Sequence, residues 1–231
     1  MIKVSIIIPC YNEVNYLNLI IDRILEQKNI NKEIILIDDC SNDGTRNVIE
    51  NLIAKKVNKI IYNEKNYGKG YCIRRGINEA SGEIILIQDA DLEYSPNDYE
   101  KLLRPIIEGY ADAVYGSRFR SGEISRVLYF WHSIGNKFLT LFSNMFTNFN
   151  LTDMENCYKV FKSEIIKNIE LKENRFGFEP EITAKLSKLD NIRLFEVSTK
   201  YYGRTYKEGK KITWKDGLAA IYCIIKYKFF N

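Results

Sequence analysis

Two aspartates one residue apart, Asp89 and Asp91, stand just beyond the apolar run Ile84–Ile87 in the stretch GEIILIQDADLEYSP. Such a run reads as a strand buried on both faces. A D-x-D at its end can turn both carboxylates toward one hard cation, and Mg²⁺ favours one or two carboxylates together with substrate phosphates. The plain alternative is that the pair only caps the next helix, so the neighbouring motifs decide. VSIIIPCYNE ends a strand over 4–8 in Pro9, Tyr11, Asn12 and Glu13, and EIILIDDCSNDGT ends another in Asp38 and Asp39. In a parallel sheet those ends share one edge, and ligands of open α/β sheets bind outside the carboxyl ends of strands. Tyr11, Asp39, Asp89 and Asp91 are therefore expected to line one crevice.

The elements that must position them alternate along the chain. Apolar spacing at Leu17, Ile20, Ile21, Ile24 and Leu25 predicts an amphipathic helix over 14–27. Helices are also expected over 45–56, 70–80 and 97–108, the last introduced by Ser95-Pro96, with short strands at 59–62 and 113–115. This alternation calls for an α/β fold with a mostly parallel sheet flanked by helices. Aromatic and basic residues become denser near Ser121. The division expected there is functional: a core over 1–120 that binds the first substrate, and a remainder over 121–231 belonging to the same domain.

Composition excludes several classes. With 45 % hydrophobic residues, 231 residues suffice for one large domain, and a net charge of +4 argues against a dedicated nucleic-acid binder. The charge is uneven, with a basic cluster in RTYKEGKK from Arg204. Five scattered cysteines without a C-x-x-C, and a single histidine, disfavour a zinc site or a disulfide framework and fit a reducing cytosol. No signal peptide is visible, and no apolar run approaches the roughly 20 residues that span a bilayer. A dinucleotide fold would carry G-x-G-x-x-G after the first strand, where this chain has Pro-Cys-Tyr-Asn-Glu. Gly68-Lys69-Gly70-Tyr71 lacks the P-loop hydroxyl, although Lys69 can still reach a phosphate.

Taken in order, IIIPCYNE, IDDCSNDGT, NYGKGYCIRRGINEASGE, DADLEYSP, YGSRF and YYGRTYKEGKK resemble the family 2 glycosyltransferases with a GT-A fold. Within that family the chain is most similar to dolichyl-phosphate mannose and glucose synthases and to bacterial polyprenyl-phosphate glycosyltransferases. The resemblance implies that Pro9, Tyr11 and Glu13 hold the nucleoside of a nucleotide-diphosphate sugar and that Asp39 reads its base. It implies that Asp89 and Asp91 hold Mg²⁺ or Mn²⁺ on the donor diphosphate, with Glu93 as a further oxygen ligand where mannose synthases commonly carry Gln. Arg118 matches an arginine near the reacting phosphates, and Arg204 with Lys210 and Lys211 a basic loop over the diphosphate. Ser133 and Asp153 match acceptor-side positions. The arginine some relatives carry four residues before the serine is Tyr129 here, and Arg126 is the candidate substitute.

The implied reaction is inverting transfer of a hexose from GDP-mannose or UDP-glucose to a polyprenyl phosphate. An anionic acceptor needs no general base, which leaves His132 without a role. A hydroxyl acceptor would need a carboxylate base, with Glu179 and Glu181 as candidates, and a non-catalytic nucleotide-sugar scaffold is the third reading. A helix over 128–149 gathers Trp131, Ile134, Phe138, Leu141, Phe142, Met145 and Phe149 on one stripe, and Ser133, Asn136, Lys137, Thr140 and Asn144 on the other. The apolar stripe either packs on the sheet or faces lipid. Residues 213–230, with Trp214, Leu218, Ile221, Ile225 and Phe229 beside Lys226 and Lys228, form an aromatic and basic amphipathic helix. It either lies in a membrane interface, giving salt-sensitive peripheral attachment to the cytoplasmic face, or completes the fold or a homo-oligomer contact.

Overall fold

The computed structural model of the chain describes residues 2–120, 126, 127, 129–204 and 214–230. Lys210, Lys211 and the side chain of Trp214 lie outside that set. The strands are β1 (Lys3–Cys10), β2 (Asn31–Asp38), β3 (Lys59–Tyr62), β4 (Ile84–Ile87), β5 (Ala113–Ser117), β6 (Lys159–Lys162) and β7 (Leu194–Ser198). The helices are α1 (Leu17–Leu25), α2 (Thr45–Val48), α3 (Lys69–Glu79), α4 (Tyr99–Ile107), α5 (Phe130–Thr147), α6 (Ser163–Lys167), α7 (Phe178–Leu186) and α8 (Trp214–Phe229).

One sheet of seven strands runs in the order β3-β2-β1-β4-β6-β5-β7. The pairs β3-β2, β2-β1 and β1-β4 are parallel, β6 is antiparallel to both β4 and β5, and β7 is parallel to β5. Its centre is built from the isoleucine-rich runs: all four residues of β4 are buried, as are Ile6, Ile7 and Ile8 of β1 and Ile34 to Ile37 of β2. The expectation of a mostly parallel sheet flanked by helices holds, and β1, β2, β4 and β5 end on one edge. The reversed β6 has a consequence for that edge. Because it runs the other way, its start, and with it residues 151–158, is delivered to the edge where the other strands finish.

Two expected helices differ in detail. The segment expected over 45–56 is α-helical only through Val48 and continues as a π turn over Ile49–Ile53, with Ala54 N–H donating to Ile49 C=O at 2.8 Å. The wider turn keeps both Ile49 and Ile53 buried. The segment expected over 97–108 opens as a 3₁₀ turn, Pro96–Asp98, and Ser95 Oγ accepts from Asn97 N–H at its start. β6, β7 and α7 were not anticipated.

α5 lies against the fold with its polar stripe inward. Thr140, Ser143 and Thr147 are its buried residues, whereas Trp131 is 78 % exposed, Leu141 61 % and Met145 73 %. Inward side chains find partners in the segment before β6: Asn136 Nδ2 donates to Asp153 at 2.9 Å, Thr140 Oγ1 accepts from Met154 N–H at 3.2 Å, and Asn144 binds both the N–H and C=O of Leu151. α8 buries Ala220, Cys223, Ile224 and Tyr227 and exposes Leu218, Tyr222, Ile225 and Phe229. Phe146 and Phe229 meet edge to face at 5.6 Å, so the two exposed apolar faces are neighbours. No helix among the described residues is long and apolar enough to cross a membrane.

α3 rides close on the sheet at Gly76, where an added Cβ would collide with Ile7 Cγ2 and approach Ile37 Cδ1 to 3.1 Å. Gly76→Val should therefore lower the unfolding free energy by about 1–3 kcal/mol. Urea denaturation followed by circular dichroism measures this, and an unchanged midpoint would contradict so close an approach.

Candidate active site

The crevice starts where β1 and β2 end. Asn12 (φ 52°) and Cys40 (φ 61°) adopt left-handed backbone there, a conformation that non-glycine residues keep only when the surroundings enforce it. The enforcement is reciprocal: Asn12 and Asn42 exchange hydrogen bonds at 2.9 and 3.0 Å, and Asn12 N–H donates to Ser41 Oγ at 2.9 Å. Asp39 is buried and accepts from Asn63 Nδ2 (2.7 Å), Tyr67 N–H (3.0 Å) and Gly68 N–H (2.7 Å). It thereby ties the end of β2 to the loop that opens α3. Gly68 (φ 103°) must be glycine for a second reason, since a Cβ there would meet the carbonyl oxygen of Asn174 at 2.5 Å. Asp38 pairs with Arg46 at 2.7 Å and takes a structural role.

At the end of β4, cations neutralise the D-x-D. Lys69, the first residue of α3, sits between Asp89 (3.0 Å) and Glu179 (3.1 Å). Burial works against its charge, but Asp89 and Glu179 outweigh that and hold it protonated well above the usual lysine range. Arg204 reaches across from the segment after β7 to Asp91 (2.6 Å) and Glu13 (3.0 Å), and its Nε lies 3.5 Å from Glu93. Burial and the neighbouring carboxylates of Asp89 and Glu93 push the Asp91 carboxyl up to about 7, against the pull of Arg204.

Glu93 is engaged by other groups. Its oxygens accept from Arg204 N–H (2.7 Å) and from the Tyr201 hydroxyl (3.1 Å), so it anchors the 201–204 segment. Among the described residues no group of three His, Cys, Asp or Glu side chains is arranged to hold a metal ion. The expected ligand set of Asp89, Asp91 and Glu93 is thus reduced to the Asp89–Asp91 pair. That pair fits a hard divalent ion in the chemistry of its donors, which are all carboxylate oxygens, with Lys69 and Arg204 now paired to them.

Beyond β5, Arg118 grips Asp153 with two parallel bonds of 2.7 Å, and Asp153, fully buried, also accepts from Asn136 and Asn156. Such a bidentate pair fixes the guanidinium plane. Ser133 sits half-buried one turn before Asn136 on the inward side of α5. Arg126 is elsewhere: its backbone N–H donates to Tyr201 C=O, its guanidinium donates to Gly203 C=O at 2.7 Å, and it lines a cavity of about 490 Å³ with Tyr16, Arg23 and Arg204. The structure therefore joins Arg126 to the 201–204 segment and does not draw it to Asp153. Of the two glutamates on α7, Glu181 is consumed by the N–H groups of Lys172 and Glu173 and by Lys185, while Glu179 faces Lys69.

Sequence reasoning missed Glu155 and Lys159. Both are carried to the site edge by the reversed β6, and Lys159 is fully buried with its ammonium on the carbonyls of Met154 and Asn156. The available signal for Lys159 was weak: a lysine at the start of the short run KVFK.

The sheet order and the strand-end carboxylates define a GT-A glycosyltransferase fold. Residues 5–170 match the model of glycosyl transferase family 2, and the chain belongs to that family. It is 30 % identical over 233 residues to a dolichol-phosphate mannosyltransferase of Pyrococcus furiosus, a match covering 98 % of this chain and 64 % of the relative. It is 28 % identical over 214 residues to an undecaprenyl-phosphate 4-deoxy-4-formamido-L-arabinose transferase of Proteus mirabilis, covering 90 % and 62 %. The chain thus spans less than two thirds of the length of these relatives. Among solved structures, glucosyl-3-phosphoglycerate synthase from Mycobacterium tuberculosis, in complex with Mn²⁺, UDP and phosphoglyceric acid, superposes with a TM-score of 0.77 at 16 % identity, covering 100 % of this chain and 80 % of that one. Mannosyl-3-phosphoglycerate synthase from Rubrobacter xylanophilus gives 0.72 at 19 %, covering 96 % and 73 %.

The raised Asp91 carboxyl sets a pH dependence. Were Asp91 to ligate a cation, only its ionised form could do so, and protonation would compete with the metal below about pH 7 and cease to compete above it. Mn²⁺ should bind about tenfold more weakly at pH 6 than at pH 8. Isothermal titration at the two pH values checks this; equal affinities would contradict the environment described for Asp91.

Proposed function

We propose that the chain transfers a hexose from a nucleotide-diphosphate sugar, GDP-mannose or UDP-glucose, to a polyprenyl phosphate at a membrane surface, with inversion at the anomeric carbon. The observation that carries this reading is the orientation of α5. It ties Asn136 to Asp153 of the Arg118–Asp153 pair, with Ser133 half-buried one turn earlier, while Trp131, Leu141 and Met145 stay in solvent beside the exposed face of α8. An acceptor with an anionic head and an apolar tail matches that division. The curated relatives named above, whose names specify dolichol-phosphate and undecaprenyl-phosphate, support the same acceptor class.

Asp89 and Asp91 would hold Mg²⁺ or Mn²⁺. When bound, the ion supplies neutralisation of charge on the leaving nucleoside diphosphate. Lys69 fixes Asp89 in place, and Arg204 lies near enough to add its guanidinium to the same anion. Tyr11 and the Asp39 loop form the nucleoside end. Arg118, oriented by Asp153, together with Ser133 holds the acceptor phosphate. One of its oxygens attacks the anomeric carbon as the bond to the diphosphate oxygen breaks, so no proton has to be removed. Glu179 already has Lys69 as its partner, which favours an acceptor that needs no base over a hydroxyl.

Radiolabelled GDP-mannose, UDP-glucose and UDP-N-acetylglucosamine, each with Mn²⁺ and a short polyprenyl phosphate, should yield label in the organic phase from one donor. Asp91→Asn should cut that yield by about a hundredfold or more. Donor consumption with nothing extractable would overturn the lipid acceptor, and full activity of the variant would overturn the metal assignment.

The apolar face of α5 and α8 should bind vesicles containing anionic lipid, because apolar burial and nearby lysines both contribute at such a surface. Co-sedimentation should fall on replacing Leu141 and Met145 with glutamate, and also as salt is raised. Binding indifferent to both changes would remove the membrane from this reading.

A further inference from the structure

Residues 153–157 cross the crevice from one functional side to the other. At one end Asp153 holds Arg118, and at the other the Cys157 thiol donates to Asp89. Glu155 lies midway, close enough to Glu179, Lys159 and Arg118 for all three to act on its charge. Two carboxylate oxygens here are buried and have no hydrogen-bond partner: Glu155 Oε1 and Glu179 Oε2. Glu179 is only 3 % exposed, and its other oxygen is held by Lys69 at 3.1 Å. A buried acceptor without a donor costs about 1–3 kcal/mol, so such a pair is expected to be completed by a ligand.

The surroundings restrict what that ligand can be. A phosphate would be repelled by the two carboxylates. A further cation would meet the ammonium groups of Lys69 and Lys159, both buried against the same pair. A hydroxyl is neutral, donates to a carboxylate and accepts from a carboxylic acid, and so satisfies either form of each glutamate. We propose that Glu155 and Glu179 form the subsite that reads hydroxyl groups of the transferred hexose. The inference rests on the donor class proposed above and adds the residues that select the sugar. Its place in the chain agrees: the hexose must lie between the diphosphate at Asp89 and Asp91 and the acceptor at Arg118, and Glu155 is carried by the segment that runs from Asp153, on Arg118, to Cys157, on Asp89. A site built to accept a substrate hydroxyl rejects analogues that misplace it, because its own polar groups are then left unpaired.

The test needs no acceptor. UDP-glucose, UDP-galactose, UDP-N-acetylglucosamine, GDP-mannose, UDP and GDP are titrated with Mn²⁺ into wild type, Glu155→Ala and Glu155→Gln. In the wild type's preferred series, Glu155→Ala should bind the free nucleoside diphosphate within about twofold of wild type and the nucleotide sugar about tenfold more weakly. Glu155→Gln, which keeps shape and one acceptor oxygen, should lose less and change the ranking of glucose against galactose. An unchanged ratio of the two affinities in both variants overturns the inference. So does an equal loss for diphosphate and nucleotide sugar, which would mean that Glu155 acts on the metal or the fold. Failure of the lipid acceptor appears only in the extraction assay, so the two failures are told apart.

Discussion

Charge balance in the crevice is the constraint on which the site depends. Glu13, Asp89, Asp91, Glu93, Asp153, Glu155 and Glu179 are brought to one edge of the sheet, most of them out of reach of bulk water. A carboxylate in such surroundings persists as an ion only beside a cation or several N–H donors. Arg204, Lys69 and Arg118 meet that need by bridging between elements: β7's following segment to β1 and β4, α3 to α7, and β5 to the segment before β6. The ion pairs are therefore also the ties that fix the relative positions of the strand ends. Asp91 marks the limit of the arrangement, since Arg204 does not offset its neighbours and its carboxyl stays near 7.

The same logic explains the inverted packing of α5. A helix whose outer stripe is Trp131, Phe138, Leu141 and Met145 would ordinarily turn that stripe to the core. Here the segment 151–154 offers backbone groups with no sheet partner, and a buried backbone polar group must be paired. Thr140 and Asn144 pair them, with Asn136 completing Asp153, so the polar stripe is drawn inward and the apolar one is displaced to the surface. Exposure of the apolar stripe is thus coupled to the integrity of the Arg118 site: the side chains that hold Asp153 and its segment are the ones that turn Trp131 outward.

Much of this was legible in the sequence where chemistry and local pattern coincide. Runs such as IILI ending in D-x-D, or IILIDD ending in Ser-Asn-Asp-Gly, declare both a buried strand and its functional end, because a parallel sheet buries both faces and leaves only strand ends to solvent. The strand ends that carry Tyr11, Asp39, Asp89 and Asp91 were located for that reason. Roles that depend on where a long side chain finds its partner were not legible. Glu93 is two residues from Asp91 and still turns to Tyr201, and Arg126 attaches to Gly203.

The least legible feature was the reversal at β6. KVFK carries no alternation and begins and ends in lysine, so nothing local marks it as a central strand. Pairing with β4 and β5 makes it one, and its first lysine is accommodated by the carbonyls of Met154 and Asn156 beneath Tyr115, whose ring lies 4.7 Å from the ammonium. The same reversal brings Glu155 near Glu179. A strand parallel to its neighbours would instead have put residues 153–157 at the opposite edge of the sheet, leaving Arg118 without Asp153 and Glu179 without a companion. The direction of one four-residue strand decides whether Glu155 and Glu179 share the crevice.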